Sequence, residues 1–180
     1  RFREVPGTET SAGWKGNENG GYTVMVPGAI RLRLKIACTG GDCAPTGFAL
    51  RASVDGGSYA VVPDSCASVQ LCMADAPDVT NGQQTTEQLT SDHATNVAGA
   101  ILESQAGVPG IDLSQNSEAE NEYSLRVPAG VATGLTLDFR LYTDAGVALG
   151  AYTVTPLLIV VAGLIERVGG SLGIGGGLQQ

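Results

Sequence analysis

Two stretches far apart in the chain share one pattern. Residues 30–36 read Ile-Arg-Leu-Arg-Leu-Lys-Ile and residues 135–141 read Leu-Thr-Leu-Asp-Phe-Arg-Leu, a strict alternation of apolar and polar side chains. Successive side chains on a β-strand point to opposite faces, so Ile30, Leu32, Leu34 and Ile36 form one face and Arg31, Arg33 and Lys35 the other. The alternation predicts antiparallel sheets with one side on a core and the other in water, which places those three cations on a solvated face.

The same period recurs along Phe48, Leu50, Ala52 and Val54 and along Tyr123, Leu125 and Val127, and turn signals separate the runs: Pro27-Gly28, Asp55-Gly56-Gly57, Pro128-Ala129-Gly130 and Asp144-Ala145-Gly146. The pattern predicts strands over Arg1–Val5, Tyr22–Val26, Ala29–Ala37, Phe48–Val54, Tyr59–Val62, Tyr123–Val127, Leu135–Leu141 and Ala151–Val161. Pro156 lies inside the last of these and argues for a sheet edge or a bulge. Ser65–Met73 reads as irregular or an edge strand. Val97–Gln105 fits a helical face as well as a strand, and its context favours a strand. About nine short strands with frequent Gly and Pro turns define an all-β antiparallel sandwich, Ig-like in shape or a jelly roll, over residues 1–162.

Residues 163–180 differ in character. Leu164, Ile165, Leu172, Ile174 and Leu178 are interspersed with glycine, and no charged side chain follows Arg167. An isolated chain gains little from ordering such a segment, because glycine loses the most conformational freedom. Either it is a flexible end or a neighbouring subunit accepts it as an added strand or arm. Those five apolar residues are therefore candidates for assembly contacts.

Composition narrows the function classes. The chain has 180 residues, 43% apolar and 16% charged, so it can bury one core and does not have the composition of a disordered polyelectrolyte. Eighteen acidic residues against ten basic ones give a net charge of -8, which argues against nucleic acid and anionic membrane surfaces as partners. The longest mostly apolar run, Leu157 to Ile165, is far short of a bilayer span, so no membrane insertion is expected. The sequence starts at Arg1 without Met, as a cleaved signal peptide or a matured particle protein would.

The four cysteines form two close pairs, Cys38 with Cys43 and Cys66 with Cys72. Their four- and five-residue spacers are long for a zinc site, so disulfides are expected, either local or crossed between the pairs. Oxidised pairs would place the protein in an extracellular compartment.

No constellation points to catalysis, a metal or a cofactor. His93 is the single histidine; Ser91-Asp92-His93 are consecutive, whereas a catalytic triad is assembled by the fold, so His93 reads as an exposed loop residue. Glu118, Glu120 and Glu122 share one face of an extended segment and read as a solvated acidic row, with a cation site as the alternative. The glycines near 173–177 lack the dinucleotide fingerprint. Trp14, Tyr22, Tyr59, Tyr142 and Tyr152 leave carbohydrate stacking open, although most sit in strand patterns and suit packing.

Several stretches resemble a β-rich module of predicted phage and secreted surface structural proteins. These are Arg1-Phe2-Arg3, Gly7-Thr8-Glu9-Thr10, Trp14, Asn17-Glu18-Asn19, Arg31-Leu32-Arg33, Thr85 to Thr90, Glu118 to Tyr123, Phe139-Arg140 and Tyr152 to Pro156. The resemblance runs from Arg1 to about Val160; its motifs are structural and carry over no catalytic or binding residues. The expected function is a non-catalytic subunit that assembles with copies of itself into an extracellular filament or surface layer. A virion protein and a carbohydrate-binding module are the alternatives. Arg31, Arg33 and Lys35, on their solvated face, are expected to meet an acidic patch on a neighbouring copy.

Overall fold

The computed structural model describes residues 1–40, 43–67, 70–90, 93–105, 110–149 and 155–163. Among these the chain is all-β, with thirteen strands in order: β1 (Phe2–Arg3), β2 (Tyr22–Val26), β3 (Gly28–Cys38), β4 (Cys43–Thr46), β5 (Phe48–Val54), β6 (Ala60–Val61), β7 (Cys72–Met73), β8 (Thr95–Val97), β9 (Ile101–Leu102), β10 (Ile111–Leu113), β11 (Ser117–Val127), β12 (Thr136–Thr143) and β13 (Leu157–Ala162). The first sheet runs β1-β3-β11-β7, with β8 and β9 also pairing β11. The second runs β2-β13-β12-β5-β6, and β4 and β10 form a separate two-stranded ribbon.

The two large sheets pack as a sandwich, and the core is what the alternation predicts. Ile30, Leu32, Leu34 and Ile36 of β3 and Tyr123, Leu125 and Val127 of β11 meet Leu50, Leu137, Phe139, Leu141, Leu158 and Val160 of the second sheet in one buried cluster. Each such side chain contributes about 1.5–3 kcal/mol through apolar burial. β3 and β11 pair antiparallel over eleven consecutive positions, from Ser117 opposite Cys38 to Val127 opposite Gly28. This ladder is the backbone of the first sheet. Between β2 and β3 the Val26-Pro27 bond is cis, and that turn carries the chain from one sheet to the other.

The strands at Tyr22–Val26 and Phe48–Val54 match the expected bounds, and the Asp55-Gly56 turn joins β5 to β6 with both residues at positive φ. Val97–Gln105 is two short strands instead of one, β8 ending at Val97 and β9 starting at Ile101. Between them Gly99 presses against the Glu120 carbonyl, where any side chain would collide, and Asn121 Oδ1 accepts from the Ala100 N–H at 3.0 Å. Pro156 lies just before β13, where its carbonyl accepts from the Phe139 N–H. β13 lies between β2 and β12, so the edge reading of that strand is corrected. Residues 151–154 of the expected strand lie outside the described residues, as do Leu164, Ile165, Leu172, Ile174 and Leu178.

Both disulfides are local. Cys38 pairs Cys43 and Cys66 pairs Cys72, with Cα separations of 6.0 and 5.1 Å, which excludes crossed pairing. Two disulfides indicate an oxidising, extracellular-type environment.

Candidate functional site

Two of the three cations expected to face water do not, and the third, Lys35, is 20% exposed at its side chain. Arg31 and Arg33 are 0% exposed, and Glu118, Glu120 and Glu122 are at most 1% exposed. The side-chain alternation is as expected, but the second face of the first sheet is covered by two polar segments, residues 4–13 and 84–90, whose backbones hydrogen-bond to its side chains. An alternating pattern specifies two faces and leaves unstated what lies over the second. The solvated acidic row is likewise corrected to a buried one.

Register explains how the charges meet. Arg33 lies directly opposite Glu122 across the β3–β11 ladder and Lys35 opposite Glu120. Arg3 of β1, paired next to Arg31, adds a third guanidinium to the same face. Glu122 Oε2 accepts from Arg3 Nη1 at 2.9 Å and from Arg33 Nε at 2.7 Å, while Arg31 Nη1 lies 3.0 Å from Oε1. Arg33 also donates to Glu120 Oε2 at 3.0 Å and to Glu9 Oε1 at 2.5 Å. At one end Glu118 Oε2 lies 3.1 Å from His93 Nδ1 and 3.5 Å from Lys35 Nζ. The His93 side chain is 15% exposed and faces this carboxylate, so its reading as a free loop residue is corrected.

The layer also serves the irregular backbone that covers it. Arg31 donates to the carbonyls of Glu4, Gly7 and Thr8, Arg3 to that of Ala12, Arg33 to that of Thr86 and Lys35 to that of Thr90. Glu120 Oε1 accepts from the N–H groups of Gln88 and Leu89 at 3.0 and 2.7 Å, and Glu9 Oε1 from that of Thr86 at 3.0 Å. A loop buried against a sheet has backbone donors and acceptors with no ladder to join, and leaving them unpaired costs about 1–3 kcal/mol each. Charged strand side chains take the place of a neighbouring strand.

Electrostatics favour the charged forms of Glu9 and Arg33 and oppose that of Arg31. Burial pushes the Glu9 carboxyl up, but hydrogen bonds from Arg33 and Thr86 and the Arg33 charge more than offset this and hold it below its ordinary value. Burial lowers the Arg31 guanidinium against the pull of Glu122. For Arg33 burial acts the same way, yet Glu122 and Glu9 raise it above its usual value. Glu122, held among three guanidiniums and 0% exposed, is committed to a clamp and has no access to a substrate.

Among the described residues the outer face of the second sheet is partly exposed. Leu158 and Val160 of β13 and Leu137, Phe139 and Leu141 of β12 point into the core, so Ile159 and Asp138, Arg140 and Tyr142 point outward. Met25, Val61 and Ile159 are 58%, 46% and 36% exposed. The side nearest β2 is apolar, with Met25 paired to Val161 and Thr23 to Ile159. The side nearest β6 carries Arg51 opposite Arg140, each guanidinium over a tyrosine ring: Arg51 4.3 Å from the Tyr142 centroid and Arg140 4.8 Å from that of Tyr59. Sequence reasoning missed this face. The signal lay in the polar positions of two alternating strands, Phe48–Val54 and Leu135–Leu141.

Other candidates are engaged elsewhere. Trp14 is half-buried, with Arg1 and Arg3 at 4.4 and 4.5 Å from its ring. Tyr123 is in the core, and Tyr22 packs against Phe2 at 6.0 Å. An open cleft of about 600 Å³ is lined by Asp64, Asp75, Glu103 and Arg126, among others; its Asp64 and Glu103 carboxylates accept from the Gln105 and Ala76 N–H groups, each at 2.6 Å. Among the described residues no group of His, Cys, Asp and Glu side chains is arranged to hold a metal ion.

Fold and site together define a disulfide-bonded β-sandwich with one outer face covered over a buried ionic layer and the other partly exposed among the described residues. No protein-family model matches the chain, and neither a curated protein nor a solved structure is similar to it.

Proposed function

We propose that the protein is a non-catalytic structural subunit that assembles with copies of itself outside the cell, into a filament or surface layer. The observation that carries this reading is the bare half of the second sheet. There Met25 and Ile159 are exposed beside β2, and among the described residues no strand pairs with the outer side of β2. An apolar strip next to an unpaired strand edge is a template for another strand. The apolar, glycine-rich segment 163–180 follows directly after β13, the neighbour of β2. Donated to the β2 edge of the next copy, it would make a head-to-tail contact of the kind that generates open polymers. The two disulfides and the dense ionic clamp suit a protein that must persist where it cannot be refolded.

Deleting residues 163–180 tests the link. Wild-type protein is expected to show a helical or planar repeat by electron microscopy and the truncated chain to sediment as a monomer. A truncated chain that still assembles would exclude strand donation, and a wild-type chain that stays monomeric at all concentrations would exclude the assembly reading itself.

A further inference from the structure

We infer that Met25 is a site of oxidative modification, its thioether converted to the sulfoxide by a peroxide, and that this conversion releases copies of the chain from one another. The modification itself does not depend on assembly. Its consequence rests on the reading of the apolar strip beside β2 as the surface where copies meet.

The first argument is where the sulfur atoms lie. The chain holds six, in four cysteines and two methionines. All four cysteines are closed in disulfides, so no thiol is left to intercept an oxidant. Met73 is 1% exposed, on a strand paired with β11 opposite Leu125. Met25 is 58% exposed. A peroxide therefore meets a single reduced sulfur at the surface, and susceptibility follows that exposure. In the step itself the Met25 sulfur attacks one oxygen of hydrogen peroxide, and the S–O bond forms as the O–O bond breaks. The departing hydroxide takes the proton from the new S–OH group and leaves as water; sulfur is oxidised by two electrons and the peroxide is reduced.

The second argument is what surrounds Met25. It stands opposite Val161 in the β2–β13 ladder, on the outward face that also presents Ile159, and among the described residues no strand pairs with the other side of β2. Its backbone is fixed by β13 on one side and by the following turn, where a Cβ on Gly28 would collide with the Met25 carbonyl. Oxidation thus changes an outward side chain and leaves the strand in place. Water satisfies the sulfoxide oxygen in the free subunit, whereas an apolar contact between copies leaves it without a partner. A contact that covers Met25 also shields its sulfur, so the oxidant acts on free subunits and keeps them apart.

Dilute hydrogen peroxide, followed by peptide mass spectrometry and by sedimentation velocity at a concentration where wild-type copies associate, reads both parts. One oxygen is expected on the Met25 peptide and none on that of Met73, with an unchanged melting temperature and association weakened by about tenfold or more. Met25→Leu, which nearly conserves volume, should associate and stay associated in peroxide. Met25→Gln, polar and of similar length, should associate weakly without it. Absence of oxygen on Met25, or equal uptake by Met73, overturns the site. Complete oxidation of Met25 with association unchanged overturns the release, as does dissociation of Met25→Leu in peroxide. If the untreated chain never associates, the assembly reading fails and the release fails with it, while the oxygen at Met25 still decides the site.

Discussion

The two outer faces of this sandwich are written in the same alternating code and have opposite fates. On the first sheet Arg31 and Arg33 alternate with Ile30, Leu32 and Leu34 and end up fully buried; on the second, Asp138 and Arg140 alternate with Leu137, Phe139 and Leu141 and stay half-exposed. The difference is the cover. Segments 4–13 and 84–90 lie over the first face and bring unpaired backbone groups, so long charged side chains that match both N–H and C=O are the suitable lining. Nothing comparable among the described residues lies over the second face, where arginines rest on tyrosine rings and apolar side chains meet solvent.

The largest effect should come from breaking the covered face. Glu122→Gln removes the charge that three guanidiniums surround and is expected to destabilise the fold by about 3–5 kcal/mol, read as a fall in the urea midpoint at unchanged m-value. Replacing the whole paired set, Arg3, Arg31, Arg33, Glu9, Glu120 and Glu122, together by apolar residues sharpens the point, because no buried charge of the set is left without its partner. If the layer were only a set of ion pairs, apolar replacement would restore stability. Because the arginines also serve the carbonyls of Glu4, Gly7, Thr8, Ala12 and Thr86, the sixfold variant is expected to remain less stable than wild type. Full recovery would show that the cover needs no such partners.

Next in size is the acid response of the same layer. Glu9 is held below its ordinary carboxyl value, so its contribution is present above that value and is lost as pH falls through the lower folded one. Arg33 is raised, so its contribution holds throughout the range below the usual guanidinium value and fails only at extreme alkalinity. Between neutral pH and pH about 3 the clamp should therefore weaken from its carboxylate side alone. Glu9→Gln is expected to cost about 1–3 kcal/mol at neutral pH and to flatten the acid limb of a stability–pH curve. An unchanged acid limb would place the pH sensitivity elsewhere.

How far the sequence carried these conclusions differs between the layers. The inward faces were legible because apolar alternation states which residues share a side, and Tyr22–Val26 and Phe48–Val54 match to the residue. Strand β11 was read only from Tyr123, since Glu118-Ala119-Glu120-Asn121-Glu122 has no apolar stripe, yet it is the central partner of β3. Its glutamates are strand residues because Arg33 and Lys35 lie opposite, and that pairing spans 89 residues for Arg33 and Glu122. The parallel pairing of β2 with β13 is likewise a contact between the two ends of the chain that no local pattern announces. Charge on an alternating strand suggests water, yet Arg31 and Arg33 are buried, and among the described residues the exposed apolar strip lies on the other sheet, where the sequence signal is weaker.

The smallest effect on stability, and the most direct test of the comparison, is on the bare face. Ile159 lies between Leu158 and Val160, which are both 0% exposed, while Ile159 itself is 36% exposed. Ile159→Lys and Met25→Lys should change stability by no more than about 1 kcal/mol, the span of strand preference, because each lysine can extend into water. Leu158→Lys, one position away, should unfold the domain by burying an unpaired charge. Sedimentation velocity over a concentration series then reads the function. If the apolar strip is where copies meet, the two outward lysines abolish association in a chain whose melting temperature is preserved. If Ile159→Lys destabilises the fold as Leu158→Lys does, the second face is covered and the contrast between the sheets disappears. If association persists with both lysines in place, copies meet through some other surface, and the open strip next to β2 is not what holds them together.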